Sequence, residues 1–284
     1  MSNLPNKISN LITLSALFVM SVPALAQDAE SSLENPATFA DLAQLSDRSE
    51  LVIRAEIKKQ RRVDAERAPG LAPGFARLYI EASTLALLSG STSIGESLTY
   101  LVDVPLTERG KAPKLKNREM LLFARAVPGR RGEIQLIGQS GQLDYSPALE
   151  SRLLPILTQL AAPDTPPVVT GVTDALAVQG TLVGESETQI FLETSDRSPV
   201  SLTILRRPGQ SAVWGVSWGE IIDSASRPPA PRTLEWYRLA CALPAGLPSS
   251  ANLAREPAAR RLASQDYSFV IDQLGPCERR LTDS

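Results

Sequence analysis

The stretch from Thr188 to Arg207 constrains the fold of this chain most strongly, because apolar residues recur at every second position on both sides of a turn. Ile190 and Leu192 precede the turn, and Val200, Leu202 and Ile204 follow it. A period of two places each set on one face of an extended strand. Residues 194–199 between the two runs are typical turn residues, so the sequence predicts a β-hairpin.

The first 26 residues have the features of a signal peptide. Lys7 precedes a mostly apolar run, and Ala24-Leu25-Ala26 supplies the small residues of a cleavage site. The run is shorter than the roughly 20 apolar residues of a membrane-spanning helix. The clear cleavage pattern disfavours the alternative, a retained membrane anchor. We therefore expect cleavage near Ala26, a periplasmic or secreted protein, and no transmembrane segment in the mature chain.

Shifts in composition divide the rest of the chain into two predicted domains. A flexible leader, 27–36, precedes a domain at 37–160, and the proline-rich segment 161–167 is a linker to a second domain at 168–284. Strand-like runs in the first domain cover residues 51–57, 76–88, 97–104, 120–126 and 133–137. A helix capped by Ser146 follows them, and Pro155 is expected to kink or shorten it.

The second domain combines the opening hairpin with strands at 172–183 and 212–217, which predicts a small antiparallel sheet. Two helices follow, one after Thr233 and one from Glu256-Pro257 to Leu274. The predicted fold class is therefore α+β and mainly β. It comprises an OB-like five-stranded barrel and then a small antiparallel sheet with two C-terminal helices.

The runs ELVIRAEI, ARLYIEA, Ser97–Val104 and EMLLFARAV, in that order, resemble the OB-type barrel of secreted netrin-like and metalloproteinase-inhibitor-like modules. The resemblance covers residues 37–160 and implies a barrel fold. It does not imply inhibition, because those inhibitors place an N-terminal cysteine on the target's metal and this region has no cysteine. The whole chain also resembles exported Gram-negative bacterial proteins of uncharacterised function, which implies no activity.

The chain contains two cysteines, Cys241 and Cys277. An even pair in an oxidising compartment favours a disulfide, and this one would stabilise the fold by roughly 3–4 kcal/mol. Two unpaired buried thiols remain the alternative.

No histidine occurs anywhere in the sequence. This excludes Ser-His-Asp and Cys-His catalysis, histidine metal sites and the usual general base near neutral pH. If the two cysteines form a disulfide, only carboxylates remain as ligands for a zinc site, and carboxylates alone are a poor fit to zinc's usual ligands. We expect no cofactor, no metal and no catalytic residue.

Gly215-Val216-Ser217-Trp218-Gly219 has the G-x-S-x-G form of a nucleophile elbow, but the chain lacks the histidine that such a serine requires. We interpret the motif as strand and turn, with Trp214 and Trp218 in or beside the core.

The absence of histidine does not exclude catalysis by carboxylates alone. Glu185 and Glu187 lie two residues apart, and Glu220 and Asp223 follow the tryptophan pair. Paired carboxylates act as acid and base in glycoside cleavage, so a glycan-directed hydrolase is the alternative function. Solvated surface acids are the other explanation.

Charge is distributed unevenly, although the net charge is only −2. Residues 51–131 hold fifteen Lys or Arg and eight Asp or Glu, whereas residues 132–284 hold twelve and seventeen. Positive residues concentrate in two predicted loops: Lys58, Lys59, Arg61 and Arg62 in one, and Arg109, Lys111, Lys114, Lys116 and Arg118 in the other.

These nine cations are the predicted site for an anionic partner. An acidic protein or an anionic envelope component, such as a glycan or lipid head groups, fits such a site. Nucleic acid does not, because the region has few aromatic residues and export removes the partner. The sequence leaves open whether the loops instead balance the acidic second domain. The predicted function is non-catalytic binding or envelope support in the periplasm.

Overall fold

The computed structural model describes residues 37–219 and 226–281. The predicted signal peptide and leader, 1–36, lie outside the described residues, and so do Glu220 and Asp223. The described residues belong to one compact unit. None of their helices combines the length and the apolar character needed to cross a bilayer.

Ten strands and four α-helices occur in these residues. The strands are β1 Leu51–Arg62, β2 Phe75–Ser89, β3 Ser97–Pro105, β4 Glu119–Ala126, β5 Ile134–Leu136, β6 Gln142–Asp144, β7 Val169–Gln179, β8 Ser186–Thr194, β9 Val200–Arg206 and β10 Val213–Ser217. The helices are α1 Phe39–Arg48, α2 Pro147–Leu160, α3 Leu234–Ala240 and α4 Pro257–Leu274.

The first six strands form sheet A, which curls into a half-barrel. Its strand order is β3-β2-β1-β4-β5, and β6 pairs with β4 beside β5. The two ends of the sheet approach each other where Thr99 and Glu133 form an isolated parallel bridge, and Thr99 N donates to Gly132 O at 2.7 Å. Buried aliphatic residues fill the concave side, among them Ile53, Ile80 and Leu122. The predicted α+β fold class is confirmed, and the predicted five-stranded barrel is a six-stranded half-barrel.

The last four strands form sheet B, in the antiparallel order β10-β9-β8-β7. Ile190 pairs with Leu202, so the predicted hairpin is confirmed. A second hydrophobic core contains side chains from α1, α2, α3, α4 and the inner face of sheet B, including Ile204 and Val270. The domain boundary at 161–167 stays a prediction.

Capping fixes where several helices begin. The Thr38 hydroxyl accepts from the backbone N–H of Asp41, and the Asp41 carboxylate accepts from Thr38 N, so α1 starts with a capping box. Ser146 caps α2 in the predicted way, with Pro147 at the first helical position. Cys241 follows α3 and Cys277 follows α4, and the two form a disulfide with Cα atoms 5.1 Å apart. The predicted disulfide is confirmed.

Candidate functional site: a basic groove on the half-barrel

Lys58, Lys59, Arg61 and Arg62 lie in the second half of β1 and not in a loop. The prediction of a loop here is wrong, because β1 continues to pair with β2 as far as Arg62 and its partner Leu78. Lys59 lies opposite Glu81, and Arg61 lies opposite Tyr79. Opposite charges and cation–aromatic contacts across strands stabilise the pairing without an apolar pattern.

The other five predicted cations, from Arg109 to Arg118, lie in the segment 106–118 between β3 and β4. Gln60 joins this segment to the end of β1. Its Oε1 accepts from Leu115 N at 2.5 Å and from Lys116 N at 3.2 Å, and its Nε2 donates to Pro113 O at 2.9 Å. The structure therefore brings the two basic segments together at one end of sheet A.

Four of the nine cations form ion pairs, and their three carboxylate partners lie between residues 56 and 144. Lys58 pairs with Glu56 at 2.6 Å, Lys59 and Arg61 pair with Glu81 at 3.0 and 3.6 Å, and Arg118 pairs with Asp144 at 2.6 Å. Arg62, Arg109, Lys111, Lys114 and Lys116 have no carboxylate partner among the described residues. Within that part of the chain, none of the nine pairs with an acid after the 161–167 segment.

A groove of about 860 Å³ lies beside this basic surface. Its floor is the outward face of β2 and β3, and β5 closes one side. One wall is the β1–β2 connection, where residues 65–67 form a single 3₁₀ turn, and the other is the β4–β5 connection at 127–133. Five arginines and three carboxylates line it: Arg61, Arg62, Arg67, Arg77, Arg130, Asp64, Asp103 and Glu133.

Three of the five arginines are held by neighbours. Arg77 binds Asp103 through two hydrogen bonds, at 2.7 and 2.8 Å, which raise the pKa of the guanidinium above its ordinary value. Arg130 pairs with Glu133 at 3.0 Å. The Arg61 guanidinium, besides its ion pair with Glu81, lies 5.0 Å from the centre of the Tyr79 ring. Of these contacts, the bidentate pair of Arg77 with Asp103 fixes the shape of the groove floor.

Arg62 and Arg67 are different, because neither guanidinium group has a hydrogen-bond or ion-pair partner in the described part of the chain. Both are exposed, at the end of β1 and in the following 3₁₀ turn. Two guanidinium groups without partners beside a groove attract anionic groups, with donor geometry suited to carboxylate or phosphate.

The rest of the floor is uncharged. Leu101 is half exposed there and lies opposite Tyr79 on β2. Tyr100 points the other way, into the core beneath the floor, where its hydroxyl donates to Gln142 Oε1 at 2.7 Å. Burial raises the pKa of Tyr100 well above its ordinary value, so the phenol stays protonated at physiological pH. An apolar and aromatic floor beneath arginine side chains suits a ligand with both a flat surface and negative groups.

Most of the groove-lining residues could not be identified from the sequence. Arg67, Arg77, Tyr79 and Arg130 come from three separate segments that the curvature of sheet A brings together. A partial signal existed in β2, where Arg77 and Tyr79 alternate with buried Leu78 and Ile80 and so mark the outward face.

The structure gives the other candidate residues no shared site. Glu185 lies in the β7–β8 turn and accepts from Leu182 N, whereas Glu187 lies on β8 and accepts from Gln189 Nε2. Ser217 is buried at the end of β10, so the strand prediction for the G-x-S-x-G motif is confirmed there. No group of three or more acidic or cysteine side chains within residues 37–219 and 226–281 is arranged to hold a metal ion.

Comparison of the chain with protein-family models and with curated proteins found no match.

Proposed function

We propose that this protein is a non-catalytic binding protein of the periplasm, and that it binds an extended anionic envelope glycan in the groove on sheet A. The observation that carries the proposal is the position of Arg62 and Arg67 at the wall of a groove of about 860 Å³. Both are exposed, and their guanidinium groups have no partner among the described residues. The disulfide between Cys241 and Cys277 is compatible with export to an oxidising compartment.

The position of the groove supports a linear ligand. OB-type barrels bind oligonucleotides and oligosaccharides on the face of the second and third strands, between the connections that follow the first and fourth strands. The groove uses the corresponding elements, namely β2, β3, the β1–β2 connection and the β4–β5 connection. Export would separate the protein from nucleic acid, so a glycan is the better candidate.

The charges next to the groove support an anionic ligand. Lys111, Lys114 and Lys116 lie in the segment that Gln60 attaches to β1, close to Arg61 and Arg62. A chain of negative groups that leaves the groove at this end would meet those ammonium groups in turn. Such contacts are made in water and are screened by salt, so they add to affinity chiefly at low ionic strength.

Isothermal titration calorimetry with oligogalacturonate, a chain of uronic acids, tests the proposal. We expect binding that weakens between 50 and 200 mM salt, and that weakens by at least about tenfold when Arg62 and Arg67 are both replaced by Ser, because two charge-assisted contacts are lost. The matched control replaces two exposed arginines elsewhere, Arg255→Ser and Arg261→Ser, and should bind like the wild type.

Equal loss in both double variants, or binding of neutral dextran with the same affinity, would contradict an anion site in the groove. Binding of polyglutamate in preference to oligogalacturonate would identify an acidic protein as the partner class instead. Shortened oligosaccharides after incubation would favour the carboxylate-dependent hydrolase.

A further inference from the structure

The outward face of sheet B is covered over one half and bare over the other. Over most of β9 and β10 it is covered: Thr203 and Gly215 are buried, and a Cβ placed on Gly215 would lie 2.2 Å from the carbonyl oxygen of Ser226. Val213, at the start of β10, is the exception and is 58% exposed. Over β7 and β8 the same face exposes Leu176 (44%), Val178 (57%) and Phe191 (40%).

These apolar side chains form one continuous strip. Leu176 lies opposite Gln189, which puts Phe191, two residues along β8, on the diagonal from Leu176 within reach of an aromatic ring. Val178 is two residues further along β7 on the same face. Leu253 (54% exposed) extends the strip past the sheet edge, because Asn252 forms a parallel bridge with Ala175 and Leu253 N donates to Ala175 O at 3.0 Å.

Carboxylates surround the strip. Asp174 lies opposite Phe191, Glu187 lies opposite Val178, and Glu193 lies two residues beyond Phe191 on β8. Glu187 accepts one hydrogen bond from Gln189, but none of the three carboxylates pairs with a cation among the described residues. We call these residues, with the apolar strip, the acidic apolar face.

The charges decide what can cover this face. A second copy that docked the same face in a twofold dimer would set these carboxylates against their own copies. An anionic bilayer surface is repelled for the same reason. The segment 27–36 of this chain carries Asp28, Glu30 and Glu34 and no basic residue, so its charge also has the wrong sign. A partner with apolar and basic side chains satisfies both parts of the face.

We propose that the acidic apolar face is a docking surface for a protein segment that presents apolar and basic side chains on the same face. An extended segment suits it, because every second side chain points to the sheet, and apolar residues among these can follow the Leu176–Val178 spacing along β7. Lysines or arginines at other positions of the same inward-facing set then meet Asp174, Glu187 and Glu193. This surface is distinct from the basic groove, which repels such a segment, so the two interactions are independent.

Fluorescence anisotropy with a labelled Lys-Ser-Val-Ser-Val-Ser-Lys peptide, which places its lysines and valines on one face of an extended chain, tests the proposal on the full chain. We expect saturable binding that falls at least about tenfold in the Leu176→Ser/Phe191→Ser variant and in the Glu187→Lys/Glu193→Lys variant. The controls alter an exposed apolar and an exposed acidic residue on other surfaces, Leu154→Ser and Glu235→Lys, and should leave affinity unchanged. The same peptide with both valines replaced by serine keeps the charge and should bind less tightly.

The four residues altered in the two double variants are exposed, so both variants should remain folded. The melting temperature of each variant checks this. Absence of peptide binding to the wild type, or equal affinity in the variants and the wild type, would overturn the proposal. Self-association that the Leu176→Ser/Phe191→Ser variant abolishes would show that a second copy covers the face. Sedimentation with anionic vesicles that is lost in the same variant would identify a membrane instead.

Discussion

Arg206 donates from both Nε and Nη2 to Oδ1 of Asp266, at 2.6 Å in each case, although the Asp266 side chain is completely buried and that of Arg206 is 34% exposed. The second carboxylate oxygen of Asp266 accepts from the Thr188 hydroxyl. Asp266 lies on α4, Thr188 on β8 and Arg206 at the end of β9. This cluster therefore fixes the position of the long C-terminal helix on sheet B.

Replacing Arg206 with Met should destabilise the protein by about 3 kcal/mol, because it leaves a buried carboxylate without a counter-charge. The value lies at the lower end of the range for such pairs, since Arg206 keeps some contact with water. The double variant Arg206→Met/Asp266→Asn should recover part of the loss, because no buried charge remains. Urea denaturation of the two single variants and the double variant measures the coupling.

Arg207→Met, at the exposed neighbouring position, is the control and should change the free energy of unfolding by less than about 0.5 kcal/mol. An Arg206→Met variant as stable as the wild type would show that the pair does not hold α4 in place.

Alternating apolar residues made much of the fold predictable. Each strand of the opening hairpin shows its period of two locally, and the caps Thr38, Ser146 and Thr233 mark helix starts by their own chemistry. Pro155 does not end α2, which continues past it to Leu160, and the alternative of a kink stays a prediction. A proline removes one backbone hydrogen bond, whereas Leu153, Ile156 and Leu157 bury the helix face on both sides of it.

The candidate site could not be predicted in the same way. The end of β1 depends on partners such as Glu81 and Tyr79 in another strand, and no local pattern marks that pairing. The groove depends further on the curvature of sheet A, which sets the β1–β2 connection opposite the β4–β5 connection. Sequence reasoning identified Arg61 and Arg62 by charge alone and gave no reason to join them to Arg67 or Arg130.

The disulfide should contribute about 4 kcal/mol to stability, since it closes a separation of 36 residues in the unfolded chain. It also retains the C-terminal segment, in which the backbone N–H groups of Arg280 and Leu281 donate to the Asp41 carboxylate at the start of α1. In the Cys241→Ser/Cys277→Ser variant we expect that loss of stability in urea denaturation. Amide exchange of Arg280 and Leu281 should accelerate more than exchange in sheet A.

Asp196 provides a test of pH dependence. The Ser198 backbone N–H and hydroxyl both donate to its carboxylate, at 3.0 and 2.8 Å, and lower its pKa below the ordinary 3.8. Ionised Asp196 therefore stabilises the turn above pH 3.8, and the contribution disappears as the pH falls through the lowered pKa. In the Ser198→Ala variant, an NMR titration of the Asp196 side-chain carboxyl carbon should show a higher pKa than in the wild type. The pKa should still lie below the ordinary value, because the backbone donor remains. An unchanged pKa in that variant would exclude the hydroxyl as a cause.

The two glycines of the G-x-S-x-G motif should differ sharply when replaced by alanine. A Cβ on Gly215 would collide with the backbone of Ser226, whereas a Cβ on Gly219 would have no neighbour within 4 Å. We expect Gly215→Ala to lower the free energy of unfolding by about 1–3 kcal/mol through overpacking, and Gly219→Ala to change it by less than about 0.5 kcal/mol. Equal effects in thermal or urea denaturation would show that close packing does not explain the glycine at 215.

Gln60 helps to hold the two basic segments together, beside the backbone bonds of Ile57 to residues 117 and 118. Its side chain makes three hydrogen bonds to the backbone of residues 113–116, so Gln60→Ala should loosen that segment while leaving every cation in place. Hydrogen exchange should then accelerate at Leu115 and Lys116, whose N–H groups lose their acceptor. Oligogalacturonate affinity should fall by about three- to tenfold, because ordering the segment again on binding costs conformational entropy. Gln60→Glu keeps the acceptor oxygen and should restore the protection of Leu115 but not the affinity, since a negative charge now lies among the cations. Unchanged exchange at Leu115 in Gln60→Ala would mean that other contacts hold the segment and that Gln60 does not join the two.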